Sequence, residues 1–121
     1  MPEGDTIFRT ATVLRQVLVG GMVTAARARA RPGMRSVPDL SRLVGRSIER
    51  VEARGKNLLI SVEGGLTLRT HLRMRGSWHR YAPGEAWRRP ASQASAVIET
   101  ATAVAVCFDA PVVELLDEWA L

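Results

Sequence analysis

The sequence predicts a mainly β domain (β-rich α+β): an antiparallel β-sandwich or pseudobarrel of about eight strands, capped by helices and led by a long N-terminal helix. Two periodicities carry this prediction. Apolar residues recur at spacings of three and four in residues 5–19, which is typical of one face of a helix. After residue 20 the segments alternate with a period of two, or form short apolar runs between turns, which is typical of strands. With 121 residues, the chain is long enough for one domain with a modest core.

The N-terminal helix is predicted over residues 5–19. Asp5 or Thr6 would cap its start, and Gly20 and Gly21 would end it. Four apolar residues at spacings of four, three and four would form its buried face: Ile7, Ala11, Leu14 and Leu18.

The first strand is predicted in residues 26–31, where alanine alternates with arginine. A strand there would present its arginines on one face. A short helix is expected at 39–44 and a loop at 82–90. The other strands are predicted at residues 47–53, 57–62, 66–72, 76–81, 96–99, 103–108 and 112–116.

The charge is unevenly distributed along the chain. All 17 basic residues and seven of the 12 acidic ones fall in residues 1–90, which gives this part a charge of +10. Residues 91–121 carry five acidic residues and a charge of −5. A basic body predicts a polyanion-binding face, most readily for nucleic acid, although an arginine-rich solvated surface would give the same composition.

Several classes of protein are excluded by simple patterns. The apolar runs are too short for a membrane-spanning helix, and the N-terminus has no secretory signal. Cys107 is the only cysteine, so it makes neither an internal disulfide nor the cysteine pairs of a structural zinc site. We therefore expect a cytoplasmic protein without a metal or cofactor.

The N-terminus carries residues suited to covalent catalysis. Removal of Met1 would give Pro2 a secondary amine that is partly unprotonated near neutral pH. Such an amine condenses with an aldehyde carbon to form an iminium, which is a strong electron sink. Glu3 is adjacent and would serve as a general acid if burial raised its pKa. A flexible N-terminal start is the simpler alternative for the same residues.

Two further segments carry candidate binding residues. Lys56 is the only lysine among 17 basic residues and follows a glycine turn in RGKNLL, which suggests that an ammonium is required there. In the later segment HLRMRGSW, Arg73 and Arg75 would hold phosphates, His71 would donate to a phosphate oxygen, and Met74 would wedge into a base stack. Arginine-biased codon usage is the alternative explanation for the single lysine, and packing roles are the alternative for HLRMRGSW.

Taken together, the segments PEGDTIFR, RGKNLL and HLRMRGSW resemble the formamidopyrimidine-DNA glycosylase/endonuclease VIII family of base-excision repair enzymes. Their order and spacing match that family's N-terminal catalytic domain over residues 1–121. The resemblance implies a monomeric, bifunctional DNA glycosylase and abasic-site lyase that acts on double-stranded DNA. It also implies a bacterial protein associated with the nucleoid. Its substrates would contain oxidised bases or abasic sites, and strand cleavage would follow by β- or β,δ-elimination.

The resemblance also implies roles for individual residues. Pro2 would attack the sugar C1′, and Glu3 would protonate the deoxyribose ring oxygen. Lys56 would contact a phosphate near the lesion and assist elimination. Met74 would fill the void left by the flipped base. The remaining residues assigned to DNA binding are Arg54, His71, Arg73 and Arg75.

Two departures from the family pattern stand out. The purine-lesion branch carries an Asp-Pro-Arg-Arg-Phe-Gly segment, whereas this chain reads FDAPVV at residues 108–113. With GDT near the start, this difference favours the endonuclease VIII branch and oxidised pyrimidines, although Met74 resembles the purine branch. Family members continue into a helix–two-turn–helix domain and usually a zinc finger, both of which we expect to be absent from these 121 residues.

Two alternatives to this enzyme function remain open at the level of the sequence. The chain would be a catalytically inactive DNA-binding module, or a fragment without activity by itself, if its motifs persisted only as scaffold. An N-terminal-proline tautomerase would use the imino nitrogen of Pro2 as a base, but the RGK and HLRM segments have no role in that chemistry.

Overall fold

The computed structural model describes residues 3–30, 37–73 and 76–117. Within these ranges it confirms the predicted fold, with one α-helix and eight strands, and none of the described helices has the length and apolarity needed to cross a membrane. The elements are α1 (Glu3–Leu18), β1 (Ala25–Ala28), β2 (Ile48–Arg54), β3 (Asn57–Val62), β4 (Leu66–His71), β5 (Ser77–Tyr81), β6 (Ala94–Glu99), β7 (Val104–Phe108) and β8 (Val112–Asp117), with short 3-10 helices at Leu40–Leu43 and Ala91–Gln93.

The strands form two four-stranded antiparallel sheets. One sheet has the order β1-β6-β7-β5 and the other has the order β2-β3-β4-β8. Alternate residues of both sheets point inward, as expected for a sandwich, and they share one apolar core. A hydrogen bond joins the sheets inside that core: the Trp78 indole Nε1 on β5 donates to the Thr70 hydroxyl on β4 at 3.0 Å.

Some predicted boundaries were wrong by one to three residues. The helix begins at Glu3, so Asp5 and Thr6 lie in its first turn instead of capping it. Such short polar residues suit either position, because the first turn also favours acidic residues. Strand β1 ends at Ala28, three residues before its predicted end. The Arg29 N–H still donates to the Ser95 carbonyl at 3.0 Å. Strand β6 begins two residues before its predicted start. Residue 31 of the predicted first strand lies outside the described residues.

Helix α1 runs antiparallel to β2. Beyond its C-terminal end, the Gly20 N–H donates to the Ile48 carbonyl at 2.9 Å. One turn earlier, Arg15 donates from Nε and Nη2 to the Val51 carbonyl at 3.1 and 2.6 Å. The N-terminal end of α1 is therefore directed towards the end of β2 that carries Arg54. The predicted apolar face of the helix is buried in the core: Ile7, Ala11, Leu14 and Leu18.

Three connections meet at one end of the sandwich. The turn from β2 to β3 lies beside the end of β4, because Asn57 is paired with His71. His71 is in turn paired with Val112, the first residue of β8. Phe108, the last residue of β7, is paired with Ser77, the first residue of β5. We call the described residues 54–57, 71–73 and 108–112 the loop end.

Candidate functional site

The turn between β2 and β3 exposes two cations at the loop end. Gly55 has φ 58°, a left-handed conformation that glycine adopts without strain and that allows the chain to reverse in two residues. Arg54 and Lys56, on either side of it, are both exposed. The Arg54 guanidinium lies 3.7 Å from the Glu52 carboxylate, and the Arg54 side chain is 69% exposed in this pair. The turn therefore presents positive charge at the place that the sequence predicted.

The segment after β4 forms a tight turn at the same end. The Gly76 N–H donates to the Leu72 carbonyl at 2.8 Å, and a Cβ at Gly76 would lie 2.6 Å from that same oxygen. Leu72 is buried, whereas Arg73 is exposed and has φ 55°. A non-glycine residue in this region is strained, and such strain is often found at functional sites. The half-buried His71 precedes this turn.

The structure brings four of the predicted site residues together and leaves four incompletely described. Arg54, Lys56, His71 and Arg73 all lie at the loop end. Pro2, Met74 and Arg75 lie outside the described residues, and only the backbone of Glu3 is described.

Helix α1 begins at Glu3, and its direction brings this start towards the loop end. From Arg15 back to Glu3 a helix rises about 18 Å, while β2 extends about 10 Å from Val51 to Arg54. Because Arg15 is hydrogen-bonded to Val51 and the two elements are antiparallel, the start of α1 reaches at least the level of the β2–β3 turn. The described start of α1 is therefore directed towards the end that presents Lys56.

Arg89 is a cation at the loop end that the sequence did not reveal. Its Nη1 donates to Asp109 Oδ2 at 3.0 Å, and its guanidinium carbon lies 5.9 Å from the centroid of the Phe108 ring. Asp109 has φ 58°, the second non-glycine residue with a positive φ among the described residues. The FDAP segment was noted for its difference from the family, but nothing in the sequence indicates that residue 89 is its partner.

A polar chain along β5 also went unpredicted. His79 hydrogen-bonds through Nε2 with the Ser77 hydroxyl at 3.2 Å and through Nδ1 with the Tyr81 hydroxyl at 3.1 Å. Partial burial lowers the pKa of His79 below its usual value, and the charges of Arg89 and Arg88 lower it further. Both effects favour the neutral form of the imidazole.

The described side chains offer no obvious metal site. Among residues 3–30, 37–73 and 76–117, no three histidine, cysteine, aspartate or glutamate side chains form a cluster that could hold an ion. Cys107 is fully buried, and burial raises the pKa of its thiol, so it remains protonated. What the loop end offers instead is a group of exposed or half-exposed cations suited to binding phosphates.

The sequence matches a known family over almost its whole length. Residues 1–111 match the model of the formamidopyrimidine-DNA glycosylase N-terminal domain. The chain belongs to this family. The resemblance inferred from the three sequence segments is thereby confirmed.

Curated relatives place this member of the formamidopyrimidine-DNA glycosylase family near its endonuclease VIII proteins. It is 43% identical over 117 residues to the probable endonuclease 8 2 of Streptomyces coelicolor, covering 96% of this chain and 41% of that protein. It is 36% identical over 121 residues to the DNA-(apurinic or apyrimidinic site) lyase Nei2 of Mycolicibacterium smegmatis, covering 97% of this chain and 42% of that protein. The chain thus spans about two-fifths of the length of these relatives.

Solved structures share the fold at lower identity. The formamidopyrimidine-DNA glycosylase of Lactococcus lactis, bound non-covalently to DNA containing an abasic site, superposes with a TM-score of 0.76 at 19% identity, covering 100% of this chain and 46% of that chain. A second complex, of the LlFpg protein with a THF-DNA and an inhibitor, gives a TM-score of 0.76 at 20% identity, covering 99% and 45% of the two chains. Both likenesses support the two-sheet fold described above.

Proposed function

We propose that residues 1–121 form the N-terminal catalytic domain of a base-excision repair DNA glycosylase and abasic-site lyase. The observation that carries this proposal is the direction of α1, whose N-terminal end points towards the loop end that presents Lys56, His71 and Arg73. In the sequence, Pro2 directly precedes this helix and Glu3 is its first residue. A nucleophile, a general acid and phosphate-binding cations are the groups that such a reaction needs. The partner is double-stranded DNA that contains an oxidised base or an abasic site.

In the first chemical step, the amine of Pro2 attacks C1′ of the damaged nucleoside. A bond forms between the proline nitrogen and C1′, while the bond from C1′ to the base breaks and the base leaves with a proton. Glu3 donates a proton to the ring oxygen, which opens the sugar and leaves an iminium at C1′. The iminium withdraws electrons from C2′, so loss of a C2′ proton expels the 3′ phosphate by β-elimination. A second elimination at the 5′ side gives the β,δ product.

The residues at and next to the loop end bind the DNA and assist extrusion of the damaged base. Lys56, Arg54, Arg73 and Arg75 neutralise phosphates around the lesion, and His71 donates to a phosphate oxygen. Met74 fills the void in the base stack after the damaged nucleotide leaves it. The exposed Arg73 in its strained conformation starts the turn that leads to Met74.

The lesions are oxidised pyrimidines in this proposal. The paired arginines of the purine-lesion branch are absent from residues 108–113, which end in Val112 and Val113. Val112 and Val113 are the first two residues of β8. Val112 is paired with His71, and Val113 is buried. Two apolar strand residues cannot supply the guanidinium groups of the other branch, which supports a different base preference.

Borohydride trapping tests the covalent step. A Schiff base between the protein and an abasic-site oligonucleotide is reduced to a stable adduct, whose attachment point can be mapped by mass spectrometry. We expect an adduct at Pro2 when Met1 has been removed. With Met1 retained, the Pro2 nitrogen is an amide whose lone pair is delocalised into the carbonyl, so no adduct should form there.

Two variants make the trapping experiment decisive. Pro2→Gly should retain some trapping through a primary amine, whereas Lys56→Arg should still be trapped at Pro2 but should cleave the strand more slowly. Adduct formation at Lys56 in the unmodified chain would reassign the nucleophile. Processed protein that binds DNA but forms no adduct would identify a catalytically inactive DNA-binding module.

A further inference from the structure

A basic groove runs along the outer face of the sheet that contains β1. Its volume is about 320 Å³, and it is lined by the arginine-bearing strand β1, the start of β6 and the loop that carries Trp87. Ala26 and Ala28 of β1 pack against the core, so Arg27 and Arg29 lie on the opposite, outer side. The alternation of alanine and arginine in the sequence therefore builds one wall of this groove, and the proposed function does not use it.

The cations of the groove are available to an anion. The Arg29 side chain is exposed and makes no hydrogen bond or ion pair with the described part of the chain. Arg27 lies 3.2 Å from the Glu99 carboxylate, but its side chain is 58% exposed, and exposed pairs of this kind exchange partners at little cost. The backbone N–H of Arg29 is held by the Ser95 carbonyl, which fixes the strand that carries both side chains.

The opposite wall is a fixed aromatic side chain. The Trp87 ring stacks on Tyr81, with centroids 6.3 Å apart and an angle of 19° between the planes, and meets Phe108 in a T-shaped contact at 6.0 Å. The next residue is also held, because the Arg88 N–H donates to the Tyr81 hydroxyl at 3.1 Å. Trp87 is only half-buried in this arrangement and contributes to the lining of the groove. A ligand would meet an indole that needs no further ordering.

The groove lies next to the loop end. Ala28 is paired with Ala96 near the start of β6, and Ala94 is paired with Phe108, which belongs to the loop end. The Asp109 N–H donates to the Gln93 carbonyl at 2.9 Å, one residue before β6. A strand of nucleic acid leaving the loop end would therefore meet Arg29 first and the rest of the groove next.

From these contacts we propose that the groove binds an unpaired nucleic-acid segment that flanks the duplex at the loop end. Arg27 and Arg29 hold its phosphates, and one base packs against Trp87. The combination of cations along a groove with an aromatic side chain is what single-strand-binding surfaces share, since every base has an apolar face that an aromatic ring can contact. This site is additional to the proposed catalytic function and does not depend on the chemistry of Pro2.

Shape and chemistry favour a single strand over a duplex. The volume is at the lower limit for a small-ligand pocket, which suits about one nucleotide and is far too small for a double helix. In a duplex the faces of the bases are covered by their neighbours, so an indole at the side of the helix would find no base to pack against. Only an unpaired segment can present phosphates to the arginines and a base to Trp87 together.

Binding of a single-stranded oligothymidylate of about eight nucleotides tests the proposal. Affinity is measured by fluorescence anisotropy of the labelled oligonucleotide, with quenching of tryptophan emission as a second signal. Trp87→Leu should weaken binding roughly 5- to 100-fold and abolish most of the quenching. Arg29→Gln should weaken binding severalfold and make the log–log salt slope about 0.7 less steep.

Arg88→Gln is the matched control, because it removes the same charge from the residue next to Trp87 but outside the groove. It should leave the affinity within about twofold if the effect of Arg29→Gln is specific to the groove. Arg29 is exposed and has no described partner, so its variant tests the site even if Trp87→Leu disturbs the fold. Unchanged binding by Arg29→Gln, or an equal loss for Arg88→Gln, would overturn the proposal. Borohydride trapping reports separately on Pro2, so a failure of either proposal is distinguishable from a failure of the other.

Discussion

The indole Nε1 of Trp78 and the hydroxyl of Thr70 form a hydrogen bond that joins the two sheets inside the core. Thr70 is fully buried and Trp78 is 7% exposed, so neither group has water as an alternative partner. The Thr70 hydroxyl also donates to the Leu58 carbonyl at 3.4 Å. A single threonine therefore satisfies the tryptophan of one sheet and links it to the neighbouring strand of the other.

Replacing Thr70 by valine should destabilise the fold through this contact. The change keeps the volume but leaves the indole N–H buried without an acceptor, which should lower the free energy of unfolding by about 1–3 kcal/mol. Urea denaturation of Thr70→Val, Trp78→Phe and the double variant measures the coupling. We expect Thr70→Val to cost less in the Trp78→Phe background. Strict additivity of the two changes would show that the bond contributes no stability.

Gly76 and Gly55 should respond differently to alanine. At Gly76 the added Cβ would lie 2.6 Å from the Leu72 carbonyl oxygen and 2.7 Å from the Leu72 Cα, which are backbone atoms that cannot rotate away. At Gly55 there is open space, and the cost is the left-handed conformation alone, about 1–2 kcal/mol. Urea denaturation should therefore show a larger loss for Gly76→Ala. An equal loss for both would mean that the turn after β4 relaxes freely.

Acidic pH should destabilise the chain through His79. Burial and two nearby arginines lower the pKa of His79 in the folded chain below 6.5. As the pH falls below that value, His79 is protonated more readily in the unfolded chain than in the folded one. The contribution of neutral His79 to the free energy of unfolding is fully present above its unfolded-state pKa. It is lost as the pH falls below that pKa. The fall in Tm between about pH 7.5 and about pH 5.5 should be smaller in His79→Gln, and smaller also in Arg88→Gln, which removes one of the two charges. The same fall in all three proteins would exclude His79 as its source.

DNA binding by residues 1–121 should be weak and sensitive to salt. If the loop end binds DNA as proposed, we expect four to five cations in it and beside it to neutralise phosphates. The logarithm of the binding constant should then fall with the logarithm of the salt concentration with a slope of roughly −4. Titration of a duplex containing an abasic site at several salt concentrations measures the slope. A flat response would place the DNA on another surface.

Sequence reasoning predicted the framework of the fold better than the contacts of the site. The helix face and the strand β3 follow from local periodicity, and the Arg54–Asn57 turn follows from its glycine. The pairing of Asn57 with His71 was within reach, because a short hairpin sets the register of its two strands. The contact of Arg89 with Asp109 and the stacking of Trp87 on Tyr81 were not predictable. Both depend on how an irregular loop lies against the sheet, and no short-range pattern encodes that.

The pairing of the strands also sets the order in which the chain can assemble. Strands β2, β3 and β4 form consecutive hairpins, whereas β1 pairs with residues about 70 positions away and β8 joins β4 across about 50 positions. Long-range pairings close later than local ones, because more chain must be restrained before any contact forms. The loop end, where His71 meets Val112, is therefore among the last parts to be completed. Until β8 is available to pair with β4, the loop end lacks one of its three connections, even though the β2–β3–β4 hairpins can already have formed.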